Sequence, residues 1–150
     1  MSHSLVSQLI HCVFSTKERR PMITPELLVR LIPYIGGIAR ENGFKLIHGG
    51  GVDDHVHLVI SLAKTMAISK AMQLIKGGSS KWIHDIFPEH RLFEWQEGYG
   101  AFSISIAEKM RTINYINNQA EHHRKVDFKT EFIAFLDAHE MEYDIRYVFD

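Results

Sequence analysis

Gly49-Gly50-Gly51-Val52-Asp53-Asp54-His55-Val56-His57-Leu58-Val59-Ile60 is the stretch on which the reading of this 150-residue chain turns. It reads as a glycine-rich turn leading into a strand that carries two histidines with one valine between them. Side chains alternate faces along a strand, so His55 and His57 point the same way and Val56 points opposite. On a helix the same spacing would set them roughly 200° apart, unable to share a ligand. The run from His55 to Leu62 is rich in β-formers and has no helix cap, which favours the strand. Two co-directed imidazoles are half of a metal site. The competing reading is an ordinary hairpin with solvent-facing or core-satisfied histidines, because short motifs often match by chance. Asp53 and Asp54 fit either orienters of those imidazoles or plain turn-forming acids.

Working outward, Leu5 to Ser15 reads as a strand apolar on both faces and therefore central. Lys17-Glu18-Arg19-Arg20-Pro21 ends it as a basic loop. Thr24-Pro25-Glu26 starts a helix with a cap, a proline at the first helical position and an early acid. Asn42-Gly43 stops that helix, and Pro33 inside it predicts a kink or a restart. Phe44 to His48 is a short strand that the glycines turn back into the His55–Leu62 strand. Ala67 to Ile83 is a second amphipathic helix, kinked or split where Gly77-Gly78-Ser79-Ser80 interrupts it.

Trp95 to Ser105 reads as a fourth strand, its two glycines marking a bend or a close approach. Ser105-Ile106-Ala107-Glu108 is a capping box that opens a third helix to about His123, with Ile106, Met110, Ile113 and Ala120 on its buried side. A last helix spans roughly Phe128 to His139, with an apolar stripe of Phe132, Phe135 and Leu136. The tail from Tyr143 to Asp150 is too apolar to stay in solvent and should pack on the domain or on a partner. The order βαββαβ plus two helices predicts one α+β domain over 1–150, a ferredoxin-like antiparallel sheet with helices on one face and a C-terminal helical extension.

Composition narrows the classes. Hydrophobic residues at 45% and charged residues at 23% are those of a soluble globular protein. No apolar run approaches a membrane span and no signal segment opens the chain. A single cysteine, Cys12, excludes an intramolecular disulfide and points to a reducing cytoplasm. Its place in an apolar strand predicts a buried, inert thiol. The net charge of −1 conceals an asymmetry: residues 1–125 hold 15 Lys+Arg against 11 Asp+Glu, whereas residues 126–150 hold 2 against 7. The bulk of the chain can thus present a basic face to nucleic acid, although an ordinary solvated surface fits the charge equally well.

The third helix carries Tyr115-Ile116-Asn117-Asn118-Gln119-Ala120-Glu121-His122-His123. Tyr115 and Gln119, four apart, share a face. A phenol with a pKa near 10 is a poor nucleophile unless a base or a metal-bound phosphate assists it. The Gln119 carbonyl suits a hard divalent cation. Read alone, the pattern also fits a half-exposed tyrosine on a surface helix. His122 and His123 diverge on a helix; one of them could serve as a ligand, but both read as surface residues.

His55-Val56-His57, with its flank Gly50 to Leu58, resembles the histidine–hydrophobic–histidine (HUH) motif, and Tyr115-Ile116-Asn117-Asn118-Gln119 resembles its partner tyrosine motif. The flanks Phe14-Ser15-Thr16-Lys17, Ile75-Lys76-Gly77, Trp95 to Phe102 and Gln119 to Lys125 resemble the same family. Taken together, the chain resembles the single-tyrosine HUH transposases of bacterial insertion sequences over essentially its whole length.

The resemblance implies that Tyr115 attacks single-stranded DNA to give a 5′-phosphotyrosine and a free 3′-OH. It implies that His55, His57 and Gln119 hold one divalent metal, Mg²⁺ or Mn²⁺, with two imidazoles favouring Mn²⁺. It further implies a homodimer with active sites shared between subunits, and DNA hairpins at element ends as the target. Lys17, Arg19, Arg20, Lys76 and Lys81 are the basic candidates for DNA contact, each equally readable as a solvated charge. Two rivals remain: a domesticated relative that processes dispersed chromosomal repeats, and a non-catalytic hairpin-binding protein on the same fold. The second would bind without metal and be indifferent to Tyr115→Phe.

Overall fold

The structure is a computed structural model that describes residues 3–150. Four strands, β1 (Leu9–Ser15), β2 (Lys45–Gly51), β3 (His55–Ser61) and β4 (Gly100–Ile104), form an antiparallel sheet in the order β2-β3-β1-β4. Helix α1 (Pro25–Glu41) links β1 to β2, and α2 (Ile68–Ile86) links β3 to β4. This is the expected ferredoxin-like βαββαβ arrangement. Three C-terminal helices follow: α3 (Lys109–Asn117), α4 (Gln119–Lys125) and α5 (Phe128–Ala138).

Period-2 alternation splits the sheet into two unlike faces. Ile10, Cys12, Phe14, Val56, Leu58 and Ile60 meet Leu27, Leu31 and Ile35 of α1 and Met72, Ile75 and Ile83 of α2 in one apolar cluster. Cys12 lies wholly inside it, and burial pushes its thiol up to about 12. The opposite face carries Val13, Phe102, His11, His55 and His57; Phe128, Phe132 and Leu136 of α5 close over part of it, with Val148 and Phe149 of the tail. Only the end of the tail packs on the chain itself, where the Gly98 amide and the Gln96 side chain donate to the Asp150 main-chain oxygen at 2.9 and 3.2 Å; Tyr143, Ile145 and Tyr147, expected to pack, are exposed.

Several boundaries differ from the sequence reading, each for a physical reason. Gly49, Gly50 and Gly51 are strand residues of β2, and the chain turns at Val52–Asp54 instead. A Cβ on Gly50 would lie 2.8 Å from Ile116 Cγ2, so the glycine lets α3 sit on the strand. Helix α2 runs unbroken through Gly77-Gly78-Ser79-Ser80. A Cβ on Gly78 would lie 2.9 Å from Ile38 Cδ1, and Ser79 Oγ accepts from Trp95 Nε1 at 3.0 Å, so helix packing uses the small residues. Helix α1 is likewise continuous through Pro33, with Thr24 Oγ1 capping it by accepting from the Leu27 amide at 3.2 Å.

The first strand begins at Leu9, and the fourth is confined to Gly100–Ile104, with Trp95 paired only to Thr16. The Ser105–Glu108 capping box is present, but it opens a 3₁₀ turn, and the expected single helix breaks at Asn118. Ile106, Met110 and Ala120 face solvent; Ile116 and Gln119 are the buried residues of this segment, because it docks through the face turned toward Gly50.

Candidate metal centre and nucleophile

The pairing of β1 with β3 sets Ser15 opposite His55 and Val13 opposite His57, which brings both imidazoles to the face covered by α3, α4 and α5. Neither is solvent-facing: His55 is 1% exposed and His57 is fully buried. The turn before them is fixed from outside. Thr16 donates its amide to the Asp54 carbonyl and Ile23 donates to that of Asp53, both at 2.9 Å. Asp54 is thereby positioned with Oδ1 2.6 Å from His55 Nδ1, an arrangement that holds the ring with Nε2 pointing into the site. His57 is held in the same manner: its Nδ1 is 2.9 Å from Nε2 of His11 on β1, and the two rings stack at 5.1 Å.

The two Nε2 atoms converge on a residue from α5. Glu131, 3% exposed, places Oε1 2.9 Å from His57 Nε2 and 3.4 Å from His55 Nε2. Gln119 points its Oε1 at His55 Nε2 (2.9 Å) and donates Nε2–H to Glu131 Oε2 at 3.1 Å. The hydroxyl of the half-buried Tyr115 donates to the same Oε2, and His122 Nε2 lies 3.2 Å from it. The four residues singled out from sequence, Tyr115, His55, His57 and Gln119, are thus gathered within one chain. Glu131 and His11, which no motif in the sequence marks, complete the group. A signal for Glu131 existed: it falls within the apolar stripe of α5, between Phe128 and Phe132, where an unpaired acid would be costly. His11 left no signal beyond its place in the central strand.

Burial alone would discharge every histidine here, and the partners overturn it at one of the three. His11 is lowered to about 3 by burial and by neighbouring His57, so it is neutral. His57 is lowered, chiefly by burial. For His55, burial is outweighed by hydrogen bonding to Asp54 and Glu131, which raises it to about 9. The Glu131 carboxyl is likewise desolvated, yet His55, His57 and Tyr115 hold it far below the usual carboxylate range. Tyr115 is raised by burial and by the Glu131 carboxylate, so its resting hydroxyl keeps its proton.

His55, His57 and Glu131 present donor atoms within 4.8 Å of one another, all buried, which is a donor set a divalent cation can use. Donors at about 2.1 Å on neighbouring octahedral positions lie about 3 Å apart, and the 2.9–3.4 Å separations here match that. A second grouping of Asp54, His55 and His123 lies on the Nδ1 side of His55, where Asp54 already takes the ring nitrogen.

Each of the basic candidates is already engaged, and two of them, Lys76 and Lys81, stand on α2, which packs on the other face of the sheet. Lys17 pairs with Glu94 (3.4 Å), Arg20 with Glu18 (2.8 Å) and Lys81 with Asp85 (2.6 Å). The Arg19 guanidinium stands over the Phe149 ring, and Lys76 donates to the carbonyls of Glu97 and Gly98 at 2.9 and 2.8 Å. Burial lowers Lys76 to about 8. Lys17, Arg19, Lys129 and Arg146 line one cleft with Gln96 and Asp150; Lys81 lies apart from it.

An antiparallel ferredoxin-like sheet carries a buried histidine pair facing a tyrosine, and comparison with known proteins gives the class to which this fold belongs. The IS200-like transposase family matches residues 4–119. The ISDra2 transposase TnpA of Deinococcus radiodurans is 25% identical over 114 residues, spanning 73% of this chain and 81% of that protein. A crystal structure assigned as a transposase from D. radiodurans R1 superposes with a TM-score of 0.64 at 22% identity, covering 79% of this chain and 95% of that one. A REP-associated tyrosine transposase bound to a REP hairpin superposes with a TM-score of 0.60 at 16% identity, covering 84% of this chain and 76% of that one. The chain belongs to the IS200-like transposase family, whose members cleave and recombine DNA. Among the described residues no helix is long and apolar enough to cross a membrane.

Proposed function

We propose that this transposase cleaves and rejoins single-stranded DNA at element ends, with Tyr115 as nucleophile and a divalent cation, Mg²⁺ or Mn²⁺, held by His55, His57 and Gln119. The observation that carries the reading is the convergence of the Tyr115 hydroxyl, two imidazole nitrogens and the Gln119 amide on one buried point. Tyr115 Oη bonds to phosphorus, the bond from phosphorus to the 3′ oxygen breaks, and a 5′-phosphotyrosine and a 3′-OH result. The phenol proton is lost to solvent, and the departing oxygen takes one up. Reversal with a different 3′-OH joins new ends without an external energy source. When bound, the cation neutralises charge developing on the phosphoryl oxygens. Asp54 and His11 keep the two imidazoles aimed, and burial excludes bulk water from the donors. Glu131 orients the phenol; as a carboxylate held strongly acidic, it is too weak a base to store the proton.

Hairpin DNA is the proposed target, supported by likeness to a transposase bound to a REP hairpin. Lys17, Arg19, Arg20 and Lys76 are the proposed phosphate contacts nearest the Gln96–Gly98 segment, and Lys81 the most remote. The family resemblance supports a homodimer. The placement of Tyr115 beside its own chain's histidines supports sites assembled within each subunit, in place of sites shared between them.

The test is a denaturing-gel assay for a covalent adduct on single-stranded oligonucleotides flanking the gene, with Mn²⁺ or Mg²⁺. The adduct should require metal, Tyr115 and His55. Tight hairpin binding without any adduct would establish the non-catalytic reading instead. Mixing Tyr115→Phe with His55→Ala subunits should restore no adduct; restoration would show shared sites.

A further inference from the structure

We propose that Glu131, carried by α5 outside the family-matched segment, is a fourth protein ligand of the cation, and that its second oxygen fixes the nucleophile beside the metal. The inference rests on the metal centre proposed above and adds a residue to it. Three observations carry it.

First, Oε1 faces both histidine Nε2 atoms, at 2.9 and 3.4 Å, the separations of neighbouring ligands in one coordination shell. Second, two imidazoles and an amide bring no negative charge to a dication, whereas hard dications favour sites that supply carboxylate oxygen; the other nearby acid, Asp54, is turned to the far side of His55. Third, Glu131 stands on a rigid support. Helix α5 is capped by Asp127, whose Oδ1 accepts from the Thr130 amide at 2.9 Å, and is anchored through Phe128, Phe132 and Leu136 against the sheet.

The carboxylate then divides its work. Oε1 faces the cation, while Oε2 accepts from the Tyr115 hydroxyl and from Gln119 Nε2. A single side chain thereby sets the distance between nucleophile and cation, and it comes from beyond residue 119, where the family match ends.

Mn²⁺ binding measured by calorimetry and by electron paramagnetic resonance, without DNA, tests this on the full chain. Wild type, Glu131→Gln and Gln119→Ala are compared, with circular dichroism confirming each fold. Glu131→Gln is expected to weaken Mn²⁺ at least tenfold. Equal or tighter binding by Glu131→Gln would overturn the proposal, tighter binding showing that the carboxylate occupies the site in competition with the cation. Absence of Mn²⁺ binding by wild type would instead defeat the metal centre itself. Should Glu131→Gln fail to fold, electron–nuclear double resonance on wild type labelled with ¹³C at glutamate Cδ decides: a ¹³C coupling to bound Mn²⁺ is expected, and its absence overturns the assignment.

Discussion

His57 and Leu58 are neighbours in sequence, both fully buried on β3, and they serve opposite faces of one sheet. Leu58 enters a cluster of aliphatic and aromatic side chains from α1 and α2, where the stabilisation is non-directional and tolerant of similar shapes. His57 enters a network in which nearly every atom has an assigned polar partner: His11 on one nitrogen, Glu131 on the other. One face stores folding free energy. The other spends burial on holding polar groups that gain their full use only with a cation and a phosphate.

Substitutions that separate the two faces test this contrast. The largest effect is expected from Tyr115→Phe, which removes one oxygen: adduct formation should vanish on a denaturing gel while the melting temperature stays within a few degrees of wild type. Leu58→Ala should cost about 2–5 kcal/mol in urea unfolding, as a large-to-small core change does, yet leave the Mn²⁺ affinity of the folded protein unchanged. His57→Ala should abolish Mn²⁺ binding and also lower stability, because His11 and the Glu131 carboxylate each lose a buried partner. In wild type, cation at a hundredfold its Kd adds about 2.7 kcal/mol to stability, and that increment should be absent from melts of the variant. Gly50→Ala is expected to cost about 1–3 kcal/mol, because the new methyl must displace Ile116, and to slow adduct formation by moving the neighbouring Tyr115. The smallest effect belongs to Lys81→Ala: its partner Asp85 is exposed, so melting should not change, and adduct yield should fall less than for any of the other four basic candidates.

The sequence disclosed the apolar face almost completely, because alternation and helical spacing report burial directly. The Thr24-Pro25 start, the Ser105 capping box and the succession of four strands along the chain all follow from local chemistry. The polar face was legible only in pairs fixed by short spacing: His55 with His57 by period 2, Tyr115 with Gln119 by one helical turn. Glu131 and His11 join them through contacts 12 to 74 residues apart, which no local rule encodes. The misread small residues have the same origin. Gly50 and Gly78 look like punctuation in one dimension, and in three they are places where another element comes close.

Cys12, at the centre of β1, gives the molecule a built-in clock. As the sole thiol, shielded and held protonated, it should resist alkylation until the sheet opens. Its labelling rate therefore reports global unfolding without any probe being engineered in, and slower labelling on adding Mn²⁺ would register cation binding through the opposite face of the sheet. Equally, a cysteine introduced on the surface could be modified alone, with no need to remove the native one first.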